Sequence, residues 1–288
     1  MTLISAILGI IADRLLTHLH EYRHYRHFLS WVDGVHARFA SDAWNNIFGV
    51  MLALLPVWLL VGLLQIWLID VMFGLIGLFF YVATFVYCLG PRDLAIDVNT
   101  YCEVADSTDD DLRTRAARRL IGDETSTDDD TSERRVTRAV LTEANDRLFG
   151  VLFWFVLLGP VGAVMYRSVV VLYRERLEPG SYGEAIDWAY SVMVWLPARL
   201  LALGYALSGH FDAAIAGWRA AHQEMPRGCQ GSMEVLALTG EGALGVSESD
   251  AVIEGVASPV RAAMRLVWRT LIIWMVALSL LVLAGWSG

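Results

Sequence analysis

Residues 47–68, IFGVMLALLPVWLLVGLLQIWL, are 22 consecutive uncharged positions. At a rise of about 1.5 Å per residue they reach across a hydrocarbon core of about 30 Å. Acyl chains tolerate only a backbone that satisfies its own hydrogen bonds, so this stretch predicts a spanning helix, kinked at Pro56. A second uncharged run, residues 71–91, follows Ile69 and Asp70, and so short a link permits only an antiparallel hairpin.

Working outward, residues 148–172 predict a third span, uncharged until Arg167, and residues 266–288 a fourth with Arg269 near its start. Residues 188–209, WAYSVMVWLPARLLALGYALSG, are long enough to cross but carry Pro197 and Arg199. A broken, re-entrant helix and a crossing one are both open there. The N-terminal apolar run is interrupted by Asp13 and Arg14, so it lies in the interface or inserts with those charges facing other helices. It lacks the basic start and small-residue cleavage site of a signal peptide. The expected fold class is an all-α, polytopic helical membrane protein.

The expected organisation is an amphipathic N-terminal region (1–46), a transmembrane hairpin (47–91) and an acidic helical insert (92–147). A transmembrane helix (148–172), a loop containing 188–209 (173–265) and a C-terminal span (266–288) follow. Composition agrees: the 288 residues are 56% hydrophobic with mean hydropathy +0.48, oilier than a water-soluble domain. A net charge of −9 excludes a partner held by its phosphate backbone, so no nucleic acid is expected. All 22 basic residues are Arg, which rules out a P-loop lysine and a Schiff-base lysine. Cys88, Cys102 and Cys229 have no metal-binding or disulfide spacing.

Arginines orient the hairpin. Arg14, Arg23, Arg26 and Arg38 precede it, nine more lie between residues 90 and 147, and its tip has none, so both flanks are expected in the cytoplasm. The insert holds 15 acidic and nine basic residues; its arginines 113, 115, 118, 119, 134, 135 and 138 read as a solvated helix surface or as contacts to lipid headgroups. His20, His24 and His27 share a helical face, but the arginines between them disfavour a metal, and no metal ligand is assigned. Prolines 56, 160 and 197 would suit a transporter with broken helices, yet no repeated half is visible.

Charges placed within apolar sequence are costly, about 2.5–3.5 kcal/mol each at bilayer depth, so they pair, snorkel or serve a ligand. On that ground Arg92, Asp93, Glu143, Asp146, Arg147, Arg167 and Arg199 are candidates for a ligand site.

The blocks NDRLFGVLFWFVLLGPVGAVMYR (145–167) and WLPARLLALGYALSGHF (195–211) resemble the AmpE family, bacterial inner-membrane proteins associated with regulation of β-lactamase induction. IADRLLTHLHEYRHYRHFLSW, GPRDLAIDVNTY and the C-terminal span occur in the matching order. That family in turn resembles the CobD/CbiB cobinamide-phosphate synthases, which form an amide on a corrinoid carboxylate. The resemblance adds Asn145 and Tyr166 to the candidates and implies a regulator that modulates induction without turnover. Acids of the synthase pattern are missing near Val170 and Tyr190, which counts against the alternative, a membrane amide-forming synthase acting on an anionic substrate. Expected partners are membrane lipids, with a cytoplasmic regulatory protein or an anionic small molecule. No catalytic residue or cofactor is assigned.

Overall fold

The computed structural model describes residues 2–15, 25–38, 46–68, 75–90, 93–105, 109–121, 133–176, 180–223, 228–245 and 258–284, and no strand occurs among them. The helices are α1 Thr2–Leu15, α2 Arg26–Arg38, α3 Ile47–Leu68, α4 Leu75–Cys88, α5 Leu94–Val104, α6 Asp110–Ile121 and α7 Glu133–Ala144. A π-helical turn, Asn145–Phe149, leads into α8 Gly150–Leu158. Then come α9 Pro160–Arg176, α10 Ser181–Ser208, α11 Phe211–Gln223, α12 Cys229–Leu244 and α13 Ser258–Leu283. Helices α3, α10 and α13 are long and apolar enough to cross a membrane, and α1 and α4 are shorter apolar helices. The chain is an all-α polytopic membrane protein. It forms two compact units, one of residues 1–91, 150–195 and 278–288, the other of residues 92–149 and 196–277.

In the first unit, α3 turns its apolar side chains outward: Leu63, Ile66 and Trp67 are 68%, 72% and 70% exposed. That is the surface of a helix solvated by acyl chains rather than water. The stretch expected to cross once, 148–172, instead folds back on itself. Gly159 adopts φ +71°, the left-handed conformation that ends α8, and Pro160 opens α9 with no backbone donor to lose. The two limbs are antiparallel and very close. A Cβ on Gly162 would meet the Trp154 carbonyl at 2.1 Å, and one on Gly150 would meet the Tyr166 ring at 2.3 Å.

A turn at membrane depth must find partners for its freed backbone groups within the protein. Gln65, the one polar residue of α3, supplies them. Its Nε2 donates to the Leu158 carbonyl at 3.3 Å and its Oε1 accepts from the Val161 amide at 3.1 Å. Farther along, Trp58 Nε1 donates to Ser168 Oγ at 3.0 Å, so α9 runs antiparallel to α3. At the end of α9, Arg176 forms a two-pronged pair with Asp33 of α2, both bonds 2.9 Å. Arg176 holds the Asp33 carboxyl below its usual range. Helix α2 sits by the N-terminal half of α3, where Trp31 Nε1 donates to the Ala53 carbonyl at 3.1 Å. Both ends of the α8–α9 hairpin therefore return toward the side from which α3 starts.

Of the two readings open for 188–209, the unbroken one is found: α10 continues through Pro197. A proline removes the amide that would bond the carbonyl four residues earlier, here Met193. That carbonyl accepts Trp154 Nε1 at 3.0 Å instead.

In the second unit, α11 and α12 pack backbone against backbone. A Cβ on Gly217 would lie 2.2 Å from the Leu238 carbonyl, and one on Gly242 2.3 Å from that of Ala213. Small residues permit this approach, the packing that serves where no hydrophobic gain drives helices together. Helix α7 is tied to α12 by charge. Arg134 meets Glu241 at 3.1 Å and Arg138 meets Glu234 at 2.5 Å, so these two arginines are more than a solvated face. The polar segment 92–147 is thus packed with later sequence, not free-standing.

Two outcomes follow. Gln65→Leu strands a carbonyl and an amide at roughly 1–3 kcal/mol each, and should clearly lower the thermal midpoint of protein in lipid nanodiscs. Cysteines placed at the exposed Ala37 and Glu175 should react with an impermeant thiol reagent from the same side of sealed vesicles, against a quiet background of buried native cysteines. Labelling from opposite sides would mean that the hairpin crosses.

Candidate functional site

The segment from Arg138 to Phe149 has apolar residues at helical spacing, interrupted by Glu143, Asn145, Asp146 and Arg147. The helix widens there into its π turn, in which Asn145 and Asp146 are buried. A π turn displaces side chains from their regular positions and is frequent at functional sites. The Leu141 carbonyl, one turn earlier, accepts the fully buried Tyr205 hydroxyl at 2.8 Å.

Arg147 is the hub. Its Nη1 donates to Asp97 Oδ2 at 2.6 Å, its Nε to Glu143 Oε2 at 2.7 Å and its Nη2 to the Arg119 carbonyl at 3.3 Å. One guanidinium therefore joins α5, α6 and the end of α7, its side chain 11% exposed and that of Asp97 4%. Opposite charges at this distance compensate one another's loss of water. The three side chains together carry a formal charge of −1. Asn145 Nδ2 donates to Asp146 Oδ1 at 3.3 Å beside them in sequence.

Among the described residues, the remaining expected site residues have other local partners. Asp93 is the N-cap of α5, its carboxylate accepting the Ala95 amide at 2.9 Å, a local structural task. Arg199, on α10, donates to Ser232 Oγ at 3.4 Å and is half-buried rather than deep. Tyr166 and Arg167 belong to the first unit, where Tyr166 is fully buried against Gly150 and Arg167 donates to the Tyr25 hydroxyl at 3.0 Å. Arg92 lies outside the described residues, as do His20 and His24. The structure thus brings Glu143 and Arg147 together and pairs Asn145 with Asp146.

Sequence reasoning missed Asp97, Tyr25 and Gln65. Asp97 stands four residues after Asp93 in GPRDLAIDVNTY, between the apolar Leu94, Val98 and Tyr101; an acid among buried apolar positions was the available signal. Among the described residues, no group of three or more His, Cys, Asp or Glu side chains is arranged to hold a metal ion. The acids Asp97 and Glu143 are both bound to Arg147. What the arrangement can do is exchange: an anion competing for Arg147 would release a carboxylate and loosen α5 from the π turn.

Residues 1–286 match the family model described as regulatory signalling modulator protein AmpE. A cobalamin biosynthesis protein CobD of Stutzerimonas stutzeri is 29% identical over 255 residues, covering 82% of this chain and 80% of that protein. Another cobalamin biosynthesis protein CobD, of Chromobacterium violaceum, is 31% identical over 171 residues, 58% of this chain; the match spans 54% of that relative's length. No solved structure matches.

Removing one partner of a buried charge group leaves the others uncompensated, at about 3–5 kcal/mol. Arg147→Met should therefore lower the thermal midpoint sharply, and adding Asp97→Asn should recover part of the loss. Arg115→Ala, on an exposed position of α6, should change it little. Strict additivity of the Arg147 and Asp97 effects would sink the hub.

Proposed function

We propose, from the premise that this chain belongs to the AmpE family, that it is a regulatory protein of the bacterial inner membrane. In this reading it modulates β-lactamase induction without turnover. The single observation that carries the proposal is the family match over residues 1–286. The site chemistry supports it. The carboxylates of Asp93, Asp97 and Glu143 are engaged in a cap and a charge group, as suits an element that holds or changes position. Residues 92–147 lie in the cytoplasm on the arginine-rich side, and Glu143, Asn145, Asp146 and Arg147 form the responsive centre. An anionic small molecule or a cytoplasmic protein biases the hub by competing for Arg147.

The names of the two relatives favour one rival, an amide-forming enzyme of cobalamin biosynthesis. Deleting the gene tests both. The expected outcome is altered β-lactamase induction with corrinoid synthesis intact, restored by the wild-type gene and not by Arg147→Met expressed at equal level. Unaltered induction, together with rescue of a strain lacking the corrinoid amide synthase, would reverse the assignment.

A further inference from the structure

Arg167 is 6% exposed, on α9, one residue before the Ser168 that bonds Trp58. Trp58 lies 11 residues into α3, about 17 Å along that helix, so Arg167 is well within the thickness of the span. Its described partners are neutral. Nε donates to the Tyr25 hydroxyl at 3.0 Å, and Cζ stands 5.0 Å from the centre of the Tyr25 ring. Tyr25 is itself fixed: its hydroxyl proton goes to the Tyr87 carbonyl at 3.1 Å, and its ring meets that of Tyr87 edge-on at 5.7 Å. The oxygen is thereby left as acceptor toward Arg167.

Among the described residues no carboxylate pairs with this guanidinium, and neither Nη1 nor Nη2 has an acceptor. Among the described residues, this buried positive charge therefore has Tyr25 against it, through the phenol hydroxyl and the ring. Desolvating it costs several kcal/mol that these neutral groups only partly offset. The Nη1–Nη2 edge, without an acceptor among the described residues, has parallel donors of the spacing that two oxygens of one phosphoryl group accept. We propose that Arg167, oriented by Tyr25, is a binding site for a phosphoryl oxyanion in the first unit. An anionic phospholipid headgroup and a free phosphorylated solute share this chemistry. The site rests on that unit alone and stands whether the chain regulates or ligates.

The test uses the full chain in nanodiscs of phosphatidylcholine, with and without phosphatidylglycerol, and with inorganic phosphate titrated at constant ionic strength. The readout is the thermal midpoint by tryptophan fluorescence. Wild type should be stabilised saturably. Stabilisation by phosphatidylglycerol alone identifies a lipid, and stabilisation by inorganic phosphate a soluble source. Arg167→Gln should lose the response, yet in pure phosphatidylcholine without phosphate its midpoint should be no lower than wild type, because an uncompensated charge has been removed. Should Arg167→Gln fail to fold, Tyr25→Phe decides, with half-saturation weakened roughly tenfold as the oriented charge-assisted bond is lost. Arg115→Gln should respond as wild type. The proposal is overturned if wild type responds to neither anion, if a folded Arg167→Gln or Tyr25→Phe keeps the full response, if Arg115→Gln loses it equally, or if Arg167→Gln folds but with a lower midpoint than wild type in pure phosphatidylcholine.

Discussion

Backbone amides and carbonyls cannot be left bare among acyl chains, and the first unit is organised around that constraint. Helices satisfy it until they turn or meet a proline. At the turn, Gln65 takes both roles for Leu158 and Val161. At Pro197, Trp154 bonds the carbonyl of Met193. At both places a hydrogen-bonding side chain from another helix meets the irregularity. Without Gln65 the hairpin of α8 and α9 would expose two polar groups to lipid. A straighter helix, the single crossing that composition suggests, would then be the better solution.

The hairpin in turn fixes where charge can sit. Its limbs return toward the start of α3, which lets Arg176 reach Asp33 on α2. Exposed pairs of this kind contribute little, about 0.2–1 kcal/mol, so the pair is a consequence of the fold rather than its cause. In the second unit the same modest worth applies to the exposed Arg134 with Glu241. The hub at Arg147 differs because its partners are out of water, where the loss of one is costly although the whole group adds little net stability.

How much of this was legible depended on distance along the chain. Helix α3 could be read directly, since 22 uncharged positions admit one structure in lipid. The all-α class and the order of apolar segments followed by the same reasoning. The fold-back at Gly159 and Pro160 could not, because whether such a pair bends a helix or reverses it depends on a partner, Gln65, more than ninety residues earlier. Nor could the continuity of α10 through Pro197, which depends on Trp154. Glu143 and Arg147 were visible as charges in apolar sequence. The pairing of Asp97 was not, because an acid on a short helix gives no sign of its partner 50 residues away. The family resemblance supplied kinship and order but no geometry.

Arg147 and Arg167 were indistinguishable in sequence, each an arginine where apolar sequence meets a polar break. Their surroundings separate them. Arg147 uses Nε, Nη1 and Nη2 on two carboxylates and a carbonyl, and its group is formally negative. Among the described residues, Arg167 uses Nε alone, on a phenol. The first is a fastening in which each of the three nitrogens already bonds within the protein, so an anion reaches it only by displacing a carboxylate. The second has the character of a receptor, since a buried cation facing neutral groups gains most from an anion that arrives from outside. Burial alone therefore does not mark a site in such a chain. The mismatch between a buried charge and its partners does.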